Sequence, residues 1–291
     1  NRRAYRDMFI TTPGMEEFIS GVILFDETIR QSAVDGTPFV KLLQSKGVLP
    51  GIKVDQGLEP MAESPNEKVT KGLDGLAERF KEYAALGAKF SKWRVELAVS
   101  DVLPTDKCIE ENNRRLAQYA KLSQEAGIVP MVEPEVMMNG ENTMERCAEV
   151  SEKVLTSLFQ ELAKAGVALE GTILKTNMSI PGQKSGQTAT PDQIAEATLR
   201  VYNKTVPKNL PGIVFLSGGQ SSIEATANLS AVSKKGQQPW PISFSFGRAL
   251  QDDALKTWFG KPENVAAGQK AFYHRAKMNS LALQGKYSDE L

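Results

Sequence analysis

The sequence predicts an α/β protein of the TIM (β/α)8 barrel class, and three observations predict it. Short apolar runs alternate with longer amphipathic stretches along the chain, seven such units are visible, and charged residues gather at the ends of the apolar runs. Alternation of this kind implies parallel strands joined by helical crossovers, and 291 residues suit one barrel better than two average domains. Seven units are one short of a closed barrel. The first strand is therefore expected upstream of residue 1, and residues 1–291 are expected to form a single barrel domain truncated at its N-terminus.

Taken in order, the predicted strands are Val22–Thr28, Gly51–Asp55, Lys89–Leu97, Ile128–Val136, Gly171–Met178, Ile213–Gly219 and Pro241–Gly247. Most are short apolar runs interrupted near their ends by a polar residue, as expected of a buried parallel strand. Between them, Gly72–Gly87 carries Leu73, Leu76, Ala77 and Phe80 at helical spacing. Asp106–Ala126 and Glu145–Ala165 repeat the pattern and are closed by Gly127 and Gly166, residues suited to a left-handed helix end. Thr190-Pro191-Asp192-Gln193 reads as a capped helix start with proline in the first turn. Helical stretches are also predicted over Gln220–Leu229 and Glu263–Leu283. No Gly-x-Gly-x-x-Gly follows the first strand, which removes support for a dinucleotide fold.

Composition narrows the chemistry. Lysine plus arginine and aspartate plus glutamate both total 35, and this balance argues against a general nucleic-acid or membrane-surface binder. No run of about 18 apolar residues exists, so no transmembrane helix is predicted. Two cysteines, Cys108 and Cys147, suggest no disulfide framework and a reducing compartment. A single histidine, His274, excludes a zinc site built from two or three imidazoles of one chain. His274 lies in a polar, helix-like stretch and reads as a surface or packing residue. An enzyme of this composition must work with lysine, carboxylates and arginine. The start at Asn1-Arg2-Arg3, without methionine, suggests upstream processing or a fragment.

Barrel chemistry gathers at the carboxyl ends of the strands. Those ends carry Lys53 and Asp55, Lys92 and Arg94, Glu133 and Glu135, Lys175, Ser217-Gly218-Gly219, and Ser245 with Gly247 and Arg248. A lone lysine at such a place usually snorkels to solvent, but many charges at equivalent positions require mutual pairing or a charged ligand. Lys175 follows Ile173 and Leu174. Apolar walls and neighbouring cations lower an amine's pKa, and a neutral amine attacks a ketone to form a Schiff base. Lys92 could supply the neighbouring charge and stabilise an alkoxide. Glu133 and Glu135, two apart on one strand, share a face and could move protons or hold a lysine. A Lys–Glu network that merely fills the barrel top is the structural alternative. Ser217-Gly218-Gly219 before a helix resembles a phosphate cradle, and Arg248 could grip the phosphate oxygens.

Glu-Gly-Thr-Ile-Leu-Lys at 170–175, Glu-Pro-Glu at 133–135, Lys-Trp-Arg at 92–94, Gly-Ile-Lys-Val-Asp at 51–55 and Leu-Ser-Gly-Gly-Gln at 216–220 together closely resemble class I fructose-1,6-bisphosphate aldolase. The likeness runs over nearly the whole chain. It implies reversible cleavage of fructose 1,6-bisphosphate to dihydroxyacetone phosphate and glyceraldehyde 3-phosphate, without metal or organic cofactor. By this resemblance Lys175 is the Schiff-base lysine, Glu133 the proton donor and acceptor, Glu135 the residue that orients the lysines, and Lys92 an assistant at the reacting hydroxyl. Ser217, Gly218, Gly219, Ser245, Gly247 and Arg248 match the site for the phosphate nearer the ketone, and Lys53 and Arg94 match residues toward the other phosphate. The expected partners are sugar bisphosphates and triose phosphates, in a homotetramer, in the cytoplasm or, after removal of a transit peptide, the plastid stroma. A related substrate such as sedoheptulose bisphosphate, or a non-catalytic barrel scaffold, are the alternative functions. Three departures stand out: Thr176 replaces the proline usual after the lysine, the family's first-strand aspartate would lie before Asn1, and the chain stops at Asp289-Glu290-Leu291 without a terminal tyrosine.

Overall fold

A computed structural model describes residues 2–62 and 64–288 of the chain, so the readings made on Asn1 and on Asp289-Glu290-Leu291 lie outside the described residues. The elements follow in chain order: α1 (Arg2–Ile10), β1 (Gly21–Leu24), α2 (Asp26–Ile29), α3 (Phe39–Ser45), β2 (Leu49–Lys53), β3 (Leu58–Met61), β4 (Ser64–Thr70) and α4 (Leu76–Leu86). They continue with β5 (Phe90–Leu97), α5 (Asp106–Glu125), β6 (Val129–Val136), α6 (Met144–Lys164), β7 (Ile173–Thr176), α7 (Pro191–Thr205), β8 (Ile213–Phe215), α8 (Ser222–Lys234), β9 (Ile242–Phe244), α9 (Arg248–Trp258) and α10 (Val265–Leu283).

Seven strands form one parallel sheet in the order β1-β2-β5-β6-β7-β8-β9, curled into an incomplete barrel. Every predicted strand contributes to it, and the helices between them form the outer layer. Ile52, Trp93, Val95, Val132, Leu174, Ile213 and Phe215 are fully buried and share the face of the sheet that packs against the helices, while the opposite face of the same strands carries the charged residues. β1 and β9 are the edges of the sheet, and among the described residues they do not pair with each other.

Helix starts follow local chemistry. The side chains of Thr105, Thr143, Thr190 and Ser221 accept the backbone N–H groups of Cys108, Arg146, Gln193 and Glu224. Each such cap contributes about 1 kcal/mol. Thr190 with Gln193 closes a full capping box, with Pro191 at the first helical position. Gly127 and Gly166 sit at φ 70° and 65° just beyond α5 and α6, the left-handed turn that lets the chain re-enter the sheet. His274 lies exposed on α10.

Several boundaries differ from the sequence expectation. The first strand stops at Leu24, and Asp26–Ile29 turns into a short helix instead of extending β1 to Thr28. β8 and β9 each pair over three residues, so Leu216–Gly219 and Ser245–Gly247 are loops beyond the sheet, and Arg248 opens a helix instead of ending a strand. β7 is likewise confined to Ile173–Thr176, with Leu169–Gly171 forming a 3-10 turn before it. α4 begins at Leu76, which leaves Leu73 outside it, and α8 begins at Ser222 and runs on to Lys234. The antiparallel hairpin β3–β4 was not expected; its strand residues are largely polar or exposed and lack a continuous apolar run.

Candidate active site

Strand register assembles the charged groups. Lys53 on β2 is the parallel partner of Lys92 on β5, and on β6 Glu133 and Glu135 are the partners of Arg94 and Glu96. Residues two apart on a strand share a face, so Lys92, Arg94 and Glu96 meet Glu133 and Glu135 at one end of the sheet. Lys175, near the end of β7, completes the set.

Lys175 is buried, and its Nζ lies 3.2 Å from Glu133 Oε1. The other oxygen, Glu133 Oε2, lies 2.9 Å from Lys92 Nζ. Glu133 therefore bridges two lysines. Burial alone would raise its pKa, but Lys175 and Lys92 together hold the carboxyl below the ordinary carboxylate value. Burial pushes Lys175 below the ordinary lysine value; Glu133 opposes that shift and Lys92 reinforces it. A lysine so placed supplies a larger share of neutral, nucleophilic amine than a surface lysine does.

Glu135 behaves differently from the sequence expectation. Its hydrogen-bonded partner is the Arg94 Nε–H, not a lysine, because Arg94 occupies the adjacent strand and reaches it first. Arg94 Nη1 also lies 2.7 Å from Glu96 Oε1. Burial raises Glu135 above the ordinary carboxylate value despite Arg94, whereas for Arg94 itself burial is outweighed by Glu135, Glu96 and Glu133 together, which raise the guanidinium. Glu135 acts on Lys175 only through space.

Asp55, just past the end of β2 and one of the strand-end charges read from the sequence, is part of the network although no role was assigned to it. Its Oδ1 lies 2.5 Å from Lys53 Nζ, its Oδ2 lies 3.8 Å from Lys92 Nζ, and it accepts the Arg94 backbone N–H at 3.2 Å. The legible signal was the Lys-Val-Asp spacing, which puts Lys53 and Asp55 on one face. Asn177 was also missed. Its Oδ1 accepts the Val136 N–H at 3.0 Å and its carbonyl accepts the Tyr202 hydroxyl at 2.7 Å, so it ties the ends of β6 and β7 together beside Lys175. Thr176, where proline is usual, is accommodated within β7 opposite Phe215, and its carbonyl accepts the Leu216 N–H.

A cleft of about 350 Å³ opens between the edges β1 and β9. Lys53, Lys92 and Lys175 line it together with Ser245 and Gly247, and its remaining wall is largely apolar, including Val22, Leu24, Phe25, Phe244 and Phe246. Lys53 Nζ stands 5.8 Å above the Phe25 ring, a cation–π contact. The glycine cradle lies beyond β8. Gly218 has φ 56°, and a Cβ there would fall 1.5 Å from Met138 Cε; at Gly219 a Cβ would fall 2.2 Å from Gln183 Nε2. Only glycine fits these two positions unaltered. Arg248 Nη2 donates to the Gly218 carbonyl at 2.8 Å, so cradle and guanidinium are adjacent, and Arg248 is exposed. The first turn of α8 is partly committed to its own capping box through Ser221 and Glu224. Among the described residues, no helix is long and apolar enough to cross a membrane.

The chain resembles characterised families over its full length. The profile of fructose-bisphosphate aldolase class-I matches residues 1–291. A probable fructose-bisphosphate aldolase class 1 of Xanthomonas campestris pv. campestris is 51% identical over 288 residues, which are 99% of this chain and 86% of that protein. Cytosolic fructose-bisphosphate aldolase 6 of Arabidopsis thaliana is 51% identical over 291 residues, 100% of this chain and 81% of that protein. The solved structure of fructose-bisphosphate aldolase from Plasmodium falciparum, in complex with TRAP and a small-molecule inhibitor, superposes with a TM-score of 0.97 at 47% identity, covering 99% of this chain and 83% of that one. A lysine-centred charge network at one end of an incomplete parallel barrel and a full-length family match agree: the chain belongs to the class-I fructose-bisphosphate aldolase family.

Proposed function

We propose that Lys175 carries the covalent step of the family's reaction, the reversible cleavage of fructose 1,6-bisphosphate into dihydroxyacetone phosphate and glyceraldehyde 3-phosphate. The observation that carries this reading is a buried amine 3.2 Å from one carboxylate, which in turn contacts a second lysine at 2.9 Å. The Lys175 lone pair adds to the ketone carbon. The former carbonyl oxygen takes up a proton and, after a second protonation, leaves as water, and a cationic imine remains. That iminium is an electron sink for the carbon next to it: when the hydroxyl on the following carbon gives up its proton and becomes the aldehyde carbonyl, the bond between those two carbons breaks and its pair is held as an enamine while the aldehyde fragment departs. Glu133, touching the amine, is placed to give and take these protons. Lys92, on the far oxygen of Glu133, stabilises negative charge on the hydroxyl oxygen being deprotonated or formed.

Ser217, Gly218, Gly219, Ser245, Gly247 and Arg248 hold the phosphate nearer the ketone; Lys53 and Arg94 serve the other. Holding both phosphates fixes the reacting carbons and removes much of the entropic cost of reaction. Residues 1–291 act as one barrel domain, and one further strand seated between the open edges β1 and β9 would pair their free backbone groups and cover the apolar wall of the cleft. Assembly as a homotetramer and residence in the cytoplasm, or in the plastid stroma, belong to the same reading.

The test is covalent. Incubation with dihydroxyacetone phosphate and borohydride reduces the iminium to a stable secondary amine, and peptide mapping should place the added mass on Lys175. An adduct confined to Lys92 or Lys53 overturns the assignment.

A further inference from the structure

Three amines, Lys53, Lys92 and Lys175, line one cleft. What makes one of them the nucleophile is a question of charge. The groups form a line of alternating sign: Lys53, Asp55, Lys92, Glu133, Lys175. The successive contacts are 2.5, 3.8, 2.9 and 3.2 Å. Three amines thus share two carboxylates, and Lys92 is the amine that stands between both.

The two ends are unequal. Lys53 is partly exposed, donates to both the carboxylate and the backbone carbonyl of Asp55, and stands over the Phe25 ring, so water, two oxygens and a π face surround its amino group. Lys175 has a side chain only 10% exposed, and the carboxylate it contacts is shared with Lys92. Glu135, the other buried carboxylate facing it, is engaged by Arg94. Lys175 is the amine with no carboxylate to itself, and burial holds it below the ordinary lysine value.

We infer that Asp55 is a positioning residue that selects Lys175 as the nucleophile, by pairing with the amino groups of Lys53 and Lys92 and not with that of Lys175. This rests on the imine reading above and adds to it the reason the neighbouring amines stay silent. Asp55 itself is rigidly placed: its side chain is 5% exposed and its Oδ2 accepts the Arg94 N–H, so the carboxylate cannot follow either lysine away.

The experiment compares the unaltered protein with Asp55→Asn, Asp55→Ser and Asp55→Glu, each checked for fold by circular dichroism. The probe is phosphate-free dihydroxyacetone with borohydride, so that amine reactivity is read apart from phosphate binding; dihydroxyacetone phosphate on the unaltered protein is the control. In each adduct the amine nitrogen gains the ketone less its oxygen, lost as water, and borohydride supplies the hydride. A neighbouring carboxylate moves an amine's pKa by about 1–3 units, so its loss should cut the labelling ratio of Lys175 to Lys92 plus Lys53 about tenfold or more. Asp55→Glu should restore the ratio. Two neutralising variants are used so that misfolding of one leaves the ratio measurable. An unchanged ratio in folded Asp55→Asn or Asp55→Ser, with Lys175 still labelled, overturns the inference alone. No Lys175 adduct in the control overturns the imine reading and this inference with it.

Discussion

Replacing Glu133 by Gln removes one charge from between two buried lysines. Glu133 contacts Lys175 at 3.2 Å and Lys92 at 2.9 Å, and all three residues are less than 9% exposed. Breaking a buried ion pair costs about 3–5 kcal/mol, because the abandoned charge stays desolvated. Two features set where in that range this site falls. Glutamine keeps one carbonyl oxygen, so one ammonium retains an acceptor. The other lysine can shed its proton, which for an unperturbed lysine at pH 7 would cost at most about 5 kcal/mol, at about 1.4 kcal/mol per pKa unit; Lys175, already below the ordinary lysine value, sheds it for less. The expected loss is about 3 kcal/mol at neutral pH. Its pH dependence has a definite sign. The folded-state pKa of Glu133 is depressed, so its stabilisation is complete above the ordinary carboxylate value and disappears as pH falls through the folded value. Urea unfolding of both proteins at a series of pH values reads this directly: the gap should be widest at neutral pH and close on acidification. A gap under about 1 kcal/mol at neutral pH, or one that widens in acid, refutes the bridging role, since a buried pair broken on one side should cost several times that.

Three further outcomes are expected. Arg248→Ala should weaken dihydroxyacetone phosphate binding by about 1–2 kcal/mol, roughly 5–30-fold, and leave dihydroxyacetone unaffected; the exposed guanidinium makes the effect smaller than for a buried pair. Calorimetric titration of both ligands decides it, and equal losses for the two would remove Arg248 from the phosphate site. Gly218→Ala should lower stability by about 2–5 kcal/mol, combining about 1–2 for a left-handed backbone with about 1–3 for displacing Met138, and thermal melting that is unchanged would contradict this packing. Burial, with Glu67 adding to it, pushes the Cys108 thiol up to about 12, and burial pushes Cys147 to about 11. Iodoacetamide at neutral pH should therefore leave both unmodified in the native protein, and rapid alkylation before unfolding would show that these thiols are not buried as described.

Much of this architecture is legible in the chain because its causes are local. Short apolar runs located all seven strands of the main sheet, and the expected capping residue Thr190 stands where α7 starts. The lysine, glutamate and glycine motifs named the family before any coordinate was needed. What the sequence could not decide were matters of distance between segments far apart in the chain. Strand ends depend on how far a neighbour continues the ladder: Leu216–Gly219 leaves the sheet because β8 finds only three partners in β9. The hairpin of Leu58–Met61 and Ser64–Thr70 is held by its own antiparallel pairing, and a half-exposed pair of short strands carries little apolar period. The exposure of Arg248 follows from its place at the start of α9 instead of in a strand. Charge partnership was the hardest to read. Glu135 takes Arg94 from 41 residues away, and Asp55 accepts the Arg94 N–H across 39. Sequence determines which charges exist and which face of a strand they share, because those are properties of residue type and a period of two. Which charge meets which is decided by register and curl of the folded sheet, since Coulomb interactions depend on separation in space and on burial, and neither is a property of a single segment.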